Sequence, residues 1–223
     1  MNGITVTFDC KNKFRAPTWG LVDLFKWKVL SKQLGGGIDY IQEFKNAWVR
    51  FNKQNIRAAA QKQRLPAELI AGVCWIEVAG DPNFIDRVAF IARLIDWSGP
   101  SIVDKTLTQT SPPEKTSFGS VSMQLRTAAH TLGLNPADLS LLQLTQLASC
   151  LEYDAFNIDI VARHLRQLAN QDGFTGEINR DQVRIIGARY NRGSALTLDA
   201  IRKNTSYGDF IVSNWNHYSQ LLW

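Results

Sequence analysis

The sequence predicts a mainly α protein, a helical bundle with one small β or loop region, and three observations carry that expectation. Apolar residues recur at helical spacing along most of the chain, and glycine and proline interrupt that spacing at intervals. Alternation of period two is confined to Ile4–Phe8 and Lys105–Thr110. A hydrophobic content of 45% in 223 residues is ample for a packed core, and seven Trp with eleven Phe argue against disorder.

The first seventeen residues form an irregular or short β lead. Thr18 is a plausible N-cap for a helix from Trp19 to Leu30, which Gly35-Gly36-Gly37 ends. Ile38 to Arg64 is expected as one long helix with Phe44, Trp48 and Phe51 on one side. Pro66 opens the next helix, which Gly80 and Pro82 terminate just past Glu77. Phe84 to Trp97 is again helical in spacing. Ser98 to Ser117, with Pro100, Pro112 and Pro113, is expected as an exposed loop holding a small hairpin. Leu125, Ala128, Ala129 and Leu132 then mark a helix closed by Gly133. Asn135-Pro136 caps another, which runs through Leu139, Leu142 and Leu147. Asn157 caps a third, with Ile158, Val161, Ala162, Leu165 and Leu168 inward. Val183, Ile186, Gly187 and Tyr190 line a helix ending at Gly193, and Phe210 to Trp223 is a final packed helix.

Glu77 stands out within this pattern. Ile70, Val73 and Cys74 lie seven, four and three residues earlier, so a carboxylate occupies the buried stripe at a helix C-terminus. A glutamate snorkelling to water or paired with an Arg would leave the same trace. The alternative is a general acid, because partial burial and the negative helix end both favour a protonated carboxyl.

Four blocks following one another along the chain strengthen the second reading. Leu65-Pro66-Ala67-Glu68-Leu69-Ile70-Ala71-Gly72-Val73-Cys74-Trp75-Ile76-Glu77 is the first, and Ser117-Phe118-Gly119-Ser120-Val121-Ser122-Met123-Gln124 is the second. Asn157-Ile158 with His164-Leu165 is the third, and Tyr190-Asn191-Arg192-Gly193 the fourth. In this order they resemble the lysozyme-like superfamily, in particular goose-type lysozymes and soluble lytic transglycosylases, which cut peptidoglycan. The resemblance covers Leu65 to Gly193. It divides the chain into an N-terminal helical extension, 1–64, packed on a lysozyme-like catalytic domain, 65–223.

What the resemblance implies is a muramidase cleaving the β-1,4 bond between N-acetylmuramic acid and N-acetylglucosamine, with Glu77 as catalytic acid. An inverting hydrolase also needs a second carboxylate to activate water, for which Glu114 and Asp104 are the candidates, Glu114 the better placed by spacing. Ser117, Gln124, Tyr190 and Asn191 are the expected substrate-binding residues. Two departures from the family pattern stand out: Val78 follows the acid where transglycosylases carry Ser, and the family's Gly-Leu-Met-Gln is here Val121-Ser122-Met123-Gln124, which loses a glycine. A lytic transglycosylase giving 1,6-anhydro products, and a non-catalytic glycan-binding protein, are the alternatives.

The net charge of +5 favours acidic partners. Its scattered Lys and Arg form no nucleic-acid recognition pattern, so no nucleic-acid partner is expected. Cys10, Cys74 and Cys150 are odd in number and lack Cys-x-x-Cys spacing, which argues for reduced thiols. His130, His164 and His217 are far apart, so neither a metal nor another cofactor is expected. No stretch reaches the ~20 apolar residues of a membrane span, and Met1 to Pro17 has no signal-peptide pattern. A wall-cutting enzyme made in the cytoplasm without a signal peptide could be a phage endolysin, a clipped domain of an exported protein, or an antibacterial effector. The last is favoured: type VI secretion would deliver it to the periplasm of a target cell, and an acidic immunity protein would restrain it in the producer.

Overall fold

The computed structural model describes residues 8, 10, 16–79 and 113–223. Among them are eleven α-helices and one two-stranded antiparallel sheet, so the fold is mainly α. The helices are α1 (Leu21–Lys28), α2 (Gly37–Phe51), α3 (Lys53–Gln63), α4 (Ala67–Glu77), α5 (Leu125–Thr131) and α6 (Leu141–Leu151). They continue as α7 (Asp154–Gln171), α8 (Arg180–Arg192), α9 (Leu198–Arg202), α10 (Ser206–Ser213) and α11 (Trp215–Leu222). Strands β1 (Ser117–Phe118) and β2 (Met123–Gln124) pair Ser117 with Gln124 and Phe118 with Met123. One apolar core takes residues from α2 to α8, from the hairpin and from α10 and α11, with Trp48, Leu69, Ile70, Leu125, Ile158, Leu165 and Tyr218 fully buried.

Several elements depart from the expected ones. The helix expected over Ile38–Arg64 breaks at Asn52, whose side chain donates to Trp48 O at 3.3 Å and Asp154 Oδ2 at 3.0 Å. An amide committed to a distant carboxylate fixes this break. The buried stripe of α2 consequently runs Ile41, Lys45, Trp48 and Val49, and Phe51 is exposed. Gly20 rather than Thr18 caps α1. Asn135-Pro136 opens only a 3-10 turn at Pro136–Asp138; α6 starts from Ser140, whose side chain exchanges bonds with Gln143, and Leu142 points outward. The C-terminal segment is two helices separated at Asn214. The helix of Phe84 to Trp97 and the hairpin expected at Lys105–Thr110 lie outside the described residues.

The cysteine expectation is overturned for two of the three. Cys10 and Cys150 form a disulfide across 140 residues, pinning the N-terminal lead to the end of α6, while Cys74 is a buried free thiol. Sequence spacing does not report a bridge of this span, because the pairing depends on which distant segments the fold brings together.

Candidate active site

The site is built around the C-terminal end of α4. Glu77 is the last residue of this helix and is half-buried. Tyr207, on the first turn of α10, donates its hydroxyl to Glu77 Oε1 at 2.7 Å. No described residue bonds the other oxygen, Oε2.

Tyr207 reaches Glu77 because glycines let the helices approach closely. A Cβ on Gly208 would lie 2.0 Å from Arg184 O, and one on Gly187 would lie 2.9 Å from Gly208 Cα. The α8 and α10 backbones therefore touch where any larger side chain would separate them. Gly72 plays the same part on α4, since its Cβ would meet Ile211 at 2.7 Å and Tyr218 at 3.0 Å. Each helical glycine costs about 1 kcal/mol relative to alanine, so two at the α8–α10 crossing and one where α4 meets α10 and α11 are explained by packing.

Tyr190 stands beside this pair, its ring centroid 6.1 Å from that of Tyr207 and 5.9 Å from that of His164. Burial, with the Glu77 charge adding to it, pushes both tyrosine hydroxyls well above their ordinary value of 10, so both remain donors. Burial also lowers His164 to about 4. Its Nδ1 lies 3.4 Å from Thr131 Oγ1. Just before Tyr190, the buried Arg189 grips Asp172 through both carboxylate oxygens at 2.7 and 2.6 Å. The same guanidinium donates to Ser194 O and Leu196 O, which fixes the end of α8.

Lys45 completes the cluster from α2. Its Nζ donates to Trp75 O at 2.8 Å and Ile76 O at 2.7 Å, two carbonyls of the last turn of α4. They lack helical partners, so the ammonium caps the helix. Burial lowers Lys45 to about 8, and the charge of Glu77 opposes that fall.

The hairpin is tied to α7 by Asn157. This residue was expected as a helix cap, but α7 begins three residues earlier and Asn157 is fully buried within it. Its side chain donates to Phe118 O at 3.3 Å and accepts from Val121 N at 3.2 Å. Gly119 turns between them at φ +78°, where a Cβ would lie 2.0 Å from Leu151 O. Ser120 Oγ donates to Asp154 Oδ1 at 2.7 Å. Burial raises Asp154 against the bonds from Asn52 and Ser120, which favour its charged form.

Of the residues singled out in the sequence, Glu77 and Tyr190 come together. Ser117 and Gln124 meet as partners in the hairpin, both half-buried, and Gln124 Oε1 accepts from Arg126 Nε at 2.8 Å. Their described contacts stay within the hairpin and the start of α5. Asn191 is exposed on α8, and Glu114 sits half-buried in the 3-10 turn Pro113–Lys115 that leads into β1. Asp104 lies outside the described residues. Sequence reasoning missed Tyr207 and Lys45. Lys45 carried the signal that singled out Glu77, a charge on an apolar stripe, with Ile41 four residues before it and Trp48 three after.

Among the described residues no group of three His, Cys, Asp or Glu could hold a metal, and no helix is long and apolar enough to cross a membrane. Comparison with protein-family models, with curated proteins and with solved structures finds no match to this chain.

Proposed function

We propose that this protein is a peptidoglycan glycosidase, a muramidase that breaks the β-1,4 bond between N-acetylmuramic acid and N-acetylglucosamine, with Glu77 as its general acid. The observation that carries this reading is the setting of Glu77. A half-buried carboxyl ends a helix, a tyrosine hydroxyl holds one oxygen, and no described residue bonds the other. A proton on that second oxygen can pass to the glycosidic oxygen as the bond to the sugar C1 breaks. Tyr207 fixes the direction of transfer.

The order of the four sequence blocks supplies the substrate class. The second carboxylate of an inverting mechanism is assigned to Glu114, with Asp104 as its alternate, and would activate a water on the opposite face of the sugar. Ser117, Gln124, Tyr190 and Asn191 are proposed to bind the glycan. Delivery to a target periplasm as an antibacterial effector fits a Cys10–Cys150 bridge, which an oxidising compartment maintains. An acidic immunity protein in the producing cell would complement the +5 charge.

Reducing-end release from purified peptidoglycan tests the reading. The wild type should release sugar steadily, and Glu77→Gln should be slower by at least about 100-fold, the scale of a lost general acid. Equal rates for the two proteins would remove Glu77 from the chemistry. No release by either would leave a glycan-binding protein in its place.

A further inference from the structure

We propose that Lys45 is a positioning residue for Glu77: its ammonium fastens the last turn of α4 and so holds the carboxyl in place. This rests on the reading of Glu77 as the acid. The geometry comes first. Lys45 is buried on α2, a helix that otherwise presents Ile41, Trp48 and Val49 to the core, and a lysine there is disfavoured without partners. Its partners are the carbonyls of Trp75 and Ile76, the two residues directly before Glu77. The ammonium also lies 5.1 Å from the centre of the Trp75 ring. Trp75 is itself held, since its Nε1 donates to Asn46 Oδ1 at 2.8 Å. The segment that aims Glu77 is thus clamped to α2 through neighbouring residues.

The groups around Lys45 show which partner it senses. From α4, Cys74 is a thiol that burial keeps protonated, and Glu77 is the group whose charge opposes the fall of Lys45. Tyr207 of α10 and Tyr190 of α8 reach Glu77 as neutral phenols. His217 of α11 meets Asn46 Oδ1 at 2.9 Å; that oxygen only accepts, so the ring Nε2 donates. From α1, Asp23 bonds the Tyr40 hydroxyl and Lys26 lies over the Tyr40 ring, one turn before Lys45. Glu77 is accordingly the charge coupled to Lys45. Without the ammonium, the charge-assisted bonds to Trp75 O and Ile76 O are lost, and the turn that orients Glu77 loosens.

Titration of lysine side chains by NMR in 13C-lysine-labelled protein tests the coupling without requiring activity, with the Lys45 signal identified by its absence in Lys45→Arg. The expected result is a Lys45 signal titrating near 8, below its ordinary 10.5. In Glu77→Gln its midpoint should fall further, because the opposing charge has gone. A Lys45 midpoint among the exposed lysines, or one unmoved by Glu77→Gln, would overturn the proposal. The second arm is the rate of muropeptide release at one pH. Lys45→Met should lower kcat about tenfold with KM little changed, and Lys45→Arg, which keeps the charge, should recover most of it. A kcat in Lys45→Met equal to that of the wild type would overturn the positioning role. A protein that releases nothing would end the glycosidase reading, while the NMR titration still decides whether Lys45 and Glu77 are coupled.

Discussion

At the scale of single residues, the hydroxyl of Tyr207 is the contact that sets Glu77 apart from an ordinary surface carboxylate. Tyr207→Phe keeps the ring and removes the donor. It should cost about 1 to 2 kcal/mol in stability, measured by denaturant unfolding, and should slow glycan cleavage without abolishing it. His164 makes a prediction of the opposite kind, about pH alone. Its folded value is near 4 against an ordinary 6.5, so the unfolded chain takes up a proton that the folded one refuses. Stability from this group is complete above pH 6.5 and is lost as the pH falls towards 4, by up to about 3 kcal/mol. His164→Asn should flatten that limb of the unfolding profile. Lys45 works in the same direction at higher pH, since its depressed value adds stability as pH rises from about 8 to 10.5. The charge on an apolar stripe made Glu77 legible in the sequence, and by the same rule Lys45 was legible too. Tyr207 was not, because nothing local to Ser206-Tyr207-Gly208 says which distant carboxylate the hydroxyl meets.

At the scale of elements, the crossing of α8 and α10 decides whether the site exists. Gly208→Ala would place a methyl 2.0 Å from a backbone carbonyl, which no rotamer change can relieve. The helices must part, at about 3 kcal/mol, equivalent to a fall in Tm of roughly 6 to 12 °C for a chain of this size. Cleavage should fall further than in Tyr207→Phe, because Tyr207 moves away together with its helix. Helical periodicity located most elements, and the inward faces of α4, α5, α7 and α8 follow it. It failed where a side chain serves a remote partner. Asn52 breaks the helix expected over Ile38–Arg64 by bonding Asp154, 102 residues away, and Asn157 leaves its expected capping role to hold the hairpin. Such choices are made by tertiary contacts, which local spacing does not encode.

At the scale of the whole molecule, the Cys10–Cys150 bridge closes a loop of 140 residues. Constraint of the unfolded chain over such a loop is worth about 5 kcal/mol in the entropic treatment. Reduction, or Cys150→Ser, should lower the unfolding midpoint markedly and leave the titration of Lys45 unchanged in the folded protein. The mainly α fold was legible from composition and periodicity, because a helical bundle declares itself in its apolar stripes. The bridge was not, since three cysteines without a motif are silent about their neighbours in space.

The central claim, that Glu77 protonates a glycosidic bond of peptidoglycan, is tested most directly by mass spectrometry of muropeptides released by the wild type and by Glu77→Gln. The account predicts reducing-end muramic acid products from the wild type and none above background from the variant. Anhydro-muramic products made only by the wild type would keep Glu77 as the acid and withdraw the role given to Glu114 and Asp104. Identical product profiles from the two proteins, or none from either, would contradict the claim.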